Sequence, residues 1–165
     1  MTFISAITIG GSISRILVSK LWGRYADKRS FMLMAEKCFY FLALAQLCVI
    51  FAIPSTGKVM FVLYYLLHGI AMGGINSALT NSVFECIPPE QSADALAITQ
   101  AFAGLVGFLT TLCISPLVAN IQKNGFVLFG IPIYAQQLVT VLALTFTVLA
   151  ILYIRFAFPK QAPKE

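Results

Sequence analysis

The sequence contains one histidine, His68, in a segment whose other polar residues could make a binding surface with it. Tyr65, His68, Met72 and Asn76 recur at steps of three and four, the spacing that lines side chains along one stripe of a helix. An imidazole and a carboxamide there can exchange hydrogen bonds with a solute. Gly69 and Gly73 beside them form a G-x-x-x-G, which lets a second helix approach closely. Packing between helices, with a satisfied histidine, is the other use of the same stripe. Gln100 lies well inside one apolar stretch and Arg15 inside another, so both are further candidates for a polar cavity wall. For Arg15 two uses stay open: a solute or gating path, or a long stem reaching the polar edge near Trp22, about two turns away.

Other chemistry finds little footing. His68 has no acidic partner at useful spacing within its helix, and no nucleophile motif or phosphate-cradling glycine loop occurs, so the chain is not expected to be an enzyme. Cys38, Cys48, Cys86 and Cys113 are widely spaced and read as small apolar packing residues, so neither a metal site nor a cofactor is expected. Lysine and arginine are too dispersed for a nucleic-acid surface.

The elements that must hold these residues follow from composition. Only 10% of the 165 residues are charged and 59% are hydrophobic, whereas a soluble domain is roughly 25% charged. Eleven basic and six acidic residues cannot coat a globule of this size, and a mean hydropathy of +0.90 points to a bilayer. A helix needs about 20 apolar residues to cross a ~30 Å hydrocarbon core. Stretches of that size predict five transmembrane helices over about 2–22, 31–53, 59–84, 93–121 and 133–156. Together they make one membrane domain, 1–158, with a short cytoplasmic tail, 159–165. Trp22 to Ser30, Pro54 to Lys58 and Pro88 to Ser92 supply polar or turn-rich breaks, and Ser92 is expected to cap the fourth helix. Asn120 to Gly130 reads as a longer connection, with Gly130-Ile131-Pro132 opening the fifth helix.

Orientation is read from the basic residues. Lys20, Arg24, Lys28, Arg29, Lys37, Arg155, Lys160 and Lys164 gather at one side, against Lys58 and Lys123 at the other. That bias predicts a multi-pass cell-membrane protein with its C-terminus in the cytoplasm and its N-terminus outside. An odd number of spans that opens without a basic lead-in is expected to follow further helices.

The first basic loop carries the most specific pattern, Gly23-Arg24-Tyr25-Ala26-Asp27-Lys28. Gly23 and Asp27 share a helix face, Asp27 precedes the next helix N-terminus, and a neighbouring cation can pair with it at the membrane edge. Such a cluster can latch two helices in one conformation and release them in another. The order G-x-x-x-D-[RK] between two membrane helices resembles the signature loop of the major facilitator superfamily. Gly23, Asp27 and Lys28 match that pattern; its later glycine falls on Ser30 and its closing basic pair on Phe31 and Met32. The resemblance covers nearly the whole chain and implies an all-α integral membrane fold, part of that family's six-helix bundle.

The degenerate loop, the absence of a glycine-proline repeat in the fourth span, and the tail from Pro159 favour the family's helices eight to twelve over helices two to six. The implied function is the C-terminal portion of a secondary active transporter of a small-molecule solute by alternating access. A missing N-terminal half of about seven helices and the lipid bilayer are its implied partners, and the portion alone is not expected to transport. Pro88 to Ser92 also resembles the family's connection after helix ten. A small membrane protein acting as an interaction or assembly subunit is the competing expectation.

Overall fold

The computed structural model describes residues 2–53, 55–125, 127–128, 131–132 and 134–157. They form five helices: α1 (Thr2–Lys28), α2 (Phe31–Ile50), α3 (Gly57–Cys86), α4 (Ser92–Asn124) and α5 (Ala135–Ala157). A single 3-10 turn, Pro89–Gln91, leads into α4, and a minimal antiparallel pair joins Val127–Leu128 to Ile131–Pro132 ahead of α5. Four of the helices, α2 to α5, are long and apolar enough to cross a membrane, which is compatible with a multi-pass membrane protein. Helix α1 is not among those four over its described residues.

Helix boundaries depart from expectation at α1, α4 and α5. Helix α1 runs through the basic segment to Lys28 instead of stopping at residue 22, so Asp27 lies within its last turn. Ser30 performs the capping role at α2: it is extended, and its hydroxyl accepts a hydrogen bond from the Leu33 amide at 3.3 Å. Ser92 does not cap α4. It is the first helical residue, and its hydroxyl donates to the Pro88 carbonyl at 3.0 Å. Proline at position 89 starts the turn with no amide to orphan, so the chain winds continuously into α4. Helix α4 continues through Pro116 to Asn124 and ends at Gly125, whose φ of 69° is one that glycine adopts at no steric cost. Ile131-Pro132 pair as a strand and do not open α5, which begins at Ala135, and Gly130 lies outside the described residues.

The packed centre is built from small residues. Met34 and Cys38 of α2 are fully buried, surrounded by Ala26 of α1, Ala71, Ile75 and Ala78 of α3, and Ile154 of α5. Trp22, Tyr25 and Phe39 close over that cluster. Helices α1 and α3 run in the same direction, since contacts step from Gly11 against Gly69 to Arg15 against Gly73. Helix α5 packs one face, including Thr147 and Ile151, toward α2. Helix α4 is different: only Ser92 and Ile121, near its two ends, are buried. Between them Phe102 is 64% exposed and Leu109 51% exposed.

Candidate functional site

Helix α3 carries the polar stripe and takes its position from its glycines. A Cβ on Gly69 would overlap the Gly11 carbonyl oxygen, and one on Gly73 would lie 3.1 Å from the Arg15 carbonyl oxygen. The G-x-x-x-G therefore packs on α1, backbone against backbone, as its spacing predicts. At Gly74, one residue on, α1 and α2 meet α3. A Cβ there would overlap Cys38 Sγ and come within 3.1 Å of Trp22 Cγ. The Trp22 indole N–H donates to the Ile70 carbonyl at 2.9 Å, and its ring meets Tyr25 and Phe41 edge-on.

A cleft of about 510 Å³ opens between α3 and α4, lined by Asn76, Leu79, Thr80 and Val83 on one side and Leu96, Thr99, Gln100 and Ala103 on the other. Two carboxamides from separate helices thus share one cavity, and none of these lining side chains is charged. The Thr99 hydroxyl donates to the Ala95 carbonyl at 2.8 Å, so toward the cleft it offers acceptor capacity. The volume lies within the ~300–1,000 Å³ typical of small-molecule sites. Chemically the arrangement can bind a solute through hydrogen bonds between apolar walls.

The remaining candidates lie elsewhere. His68 stacks at a tilt on Tyr64, ring centroids 5.4 Å apart, and Tyr64 meets Tyr65 edge-on at 5.3 Å. Neither Tyr65 nor His68 lines the cleft, so the stripe divides into an aromatic part and a carboxamide part. Tyr64 instead faces a second cavity of about 330 Å³ with Val118 and Gln122 of α4 and Gln136 and Thr140 of α5. Arg15 is exposed, with its Cγ 3.4 Å from where a Gly73 Cβ would be, about half-way along α3. Gly23, Asp27 and Lys28 are all exposed on the last two turns of α1. No atom lies within 4 Å of a Cβ placed on Gly23, and Asp27 has no hydrogen bond or ion pair with another described residue. Close helix approach occurs at Gly69, Gly73 and Gly74 and not at Gly23.

Three polar residues have roles that spacing did not suggest. Gln137 Nε2 donates to the Ile50 and Ala52 carbonyls at 3.1 Å each, and its Oε1 accepts from the Tyr134 amide at 3.1 Å. It closes the end of α2, where helix carbonyls lack intrahelical donors. Trp22 is tied to α3 by its indole. Gln46 is buried with its Oε1 unpartnered. Compared with known protein families, curated proteins and solved structures, the chain matches none of them.

Proposed function

We propose that this chain is the C-terminal portion, helices eight to twelve, of a major facilitator-type secondary transporter embedded in a cell membrane. In this reading α1 to α5 supply part of one wall of a solute path, the missing half supplies the opposing wall, and the two rock about a central site. The observation that carries the reading is α4. It is mostly apolar, it is buried only at Ser92 and Ile121, and it borders a cleft bearing Asn76 and Gln100. A helix so exposed is at home against lipid on one side and further helices on another. The Gly23, Asp27 and Lys28 cluster is the cytoplasmic gating loop of this assembly, and its exposed face is where the missing half would engage it. The solute is a small molecule held by Asn76 and Gln100, while Arg15, His68 and Tyr65 lie outside that cleft.

Crosslinking from α4 in native membranes tests the proposal. A cysteine-directed crosslinker on exposed Cys113 should trap a polypeptide of about seven hydrophobic helices. Capture of an unrelated membrane protein in its place would favour an assembly subunit, for which the open α4 is equally suited. Solute uptake driven by an ion gradient in vesicles holding this chain alone would contradict the proposal.

A further inference from the structure

The outer face of α1 joins two features outside the cleft, and only Lys28 among their residues belongs also to the gating loop. Ile9, Ile13, Ile16 and Leu17 step along it at helical spacing, and Ile16 and Leu17 are each 70% exposed. The same line continues into Lys20, Arg24 and Lys28, four apart, all exposed and none paired with another described residue. Ile9 to Lys20 rises about 16 Å along a helix, close to one leaflet of a ~30 Å hydrocarbon core. An apolar track one leaflet deep thus ends in three cations on successive turns.

We infer that this face of α1 binds an anionic phospholipid, its acyl chain along Ile13 to Leu17 and its phosphate among Lys20, Arg24 and Lys28. Charge decides the headgroup. From residue 20 to 37 the corner holds Lys20, Arg24, Lys28, Arg29 and Lys37 against Asp27 and Glu36. Clusters of this kind at a helix end attract anionic headgroups. Lys37 is held over the Tyr40 ring at 5.6 Å, and Glu36 accepts from the Tyr40 hydroxyl at 3.3 Å, so both lie on α2, off the α1 track. Glu90 and Asp94, at the turn into α4, are acidic and offer an anion no competing site there. The inference rests on the chain lying in a bilayer and is independent of any transport activity.

Native mass spectrometry of the chain released from mixed phosphatidylglycerol and phosphatidylcholine nanodiscs tests it. Phosphatidylglycerol should be retained selectively. Replacing Lys20, Arg24 and Lys28 together by Gln should weaken that retention by roughly a hundredfold, from about fivefold per cation. Replacing Lys58 and Lys123, which start α3 and end α4, by Gln should leave it unchanged. Free glycerol phosphate should not compete, because it lacks the acyl chain; competition by it would assign the cations to a soluble phosphate and overturn the lipid site. Equal retention of both lipids, or undiminished retention by the triple variant, would also overturn it. Unaltered Trp22 emission in each variant separates a lost site from a lost fold. A chain that stays monomeric in water without detergent would refute the membrane reading itself, an outcome distinct from unselective lipid retention.

Discussion

Substituting Gly69 by Ala puts a methyl group where α1 and α3 touch backbone to backbone. The new Cβ would overlap the Gly11 carbonyl oxygen and lie 3.0 Å from the carbonyl carbon and 3.2 Å from the Cα of Gly11. Every obstructing atom belongs to main chain in a helix, so no rotamer change relieves the clash and α1 must move away. Two terms oppose each other. Alanine is intrinsically better in a helix than glycine by roughly 0.8–1.0 kcal/mol, while forced overpacking typically costs about 1–3 kcal/mol. Separation of the helices also loosens the Gly73–Arg15 contact and the Trp22–Ile70 hydrogen bond, which adds about 1 kcal/mol. The net expectation is a destabilisation of about 1–3 kcal/mol.

Gly104→Ala is the internal control, because no atom lies within 4 Å of its Cβ position. It should be neutral or stabilise by up to about 1 kcal/mol. Trp22 is the only tryptophan in the sequence and lies at the affected junction, so its emission during sodium dodecyl sulfate unfolding of detergent-solubilised protein reports both variants. Equal unfolding midpoints for Gly69→Ala and Gly104→Ala would refute the close α1–α3 contact.

Trp22→Phe should cost about 1 kcal/mol through loss of the Ile70 hydrogen bond, measured by circular dichroism because the fluorophore is gone. Gln137→Leu should accelerate amide exchange at Tyr134, whose N–H bonds to Gln137 Oε1, and destabilise by about 1–2 kcal/mol as the Ile50 and Ala52 carbonyls lose their side-chain donor. Gln46→Leu should be neutral or stabilising in thermal unfolding, since its Oε1 is buried without a partner; a marked loss of stability would contradict that. In folded protein, Cys113 should react with an apolar maleimide while Cys38, fully buried beneath α1 and α3, should not.

What the sequence disclosed follows physical range. Long apolar stretches indicated five helices, because helix formation is a local property, but α1 and α4 each run on into an expected break. The glycine spacing at 69 and 73 announced a close neighbour, and α1 fills that place. Capping was misread where two residue types compete: Ser92 looked like a cap, but Pro89 had already begun the turn, leaving the serine inside the helix. Asp27 is expected to face the start of α2, yet α1 extends past it, with Arg24, Ala26 and Lys28 as the helix-favouring residues of that segment. Asn76 and Gln100 were each singled out, but their shared cleft depends on how α3 and α4 pack, which no local pattern encodes. Bonds spanning 48 to 87 residues, such as those of Trp22 and Gln137, left no trace in local spacing.

Helix α4 is fastened near its two extremities, at Ser92 and Ile121, with no interlocking side chains buried along its middle. Its mid-section therefore behaves as a beam on two supports. Pressure on Phe102 or Leu109 would shift Gln100 relative to Asn76 without disturbing the Met34–Cys38 core. A covering surface could thus set the separation of the two carboxamides by leaning on the far side of the beam, without ever reaching between them.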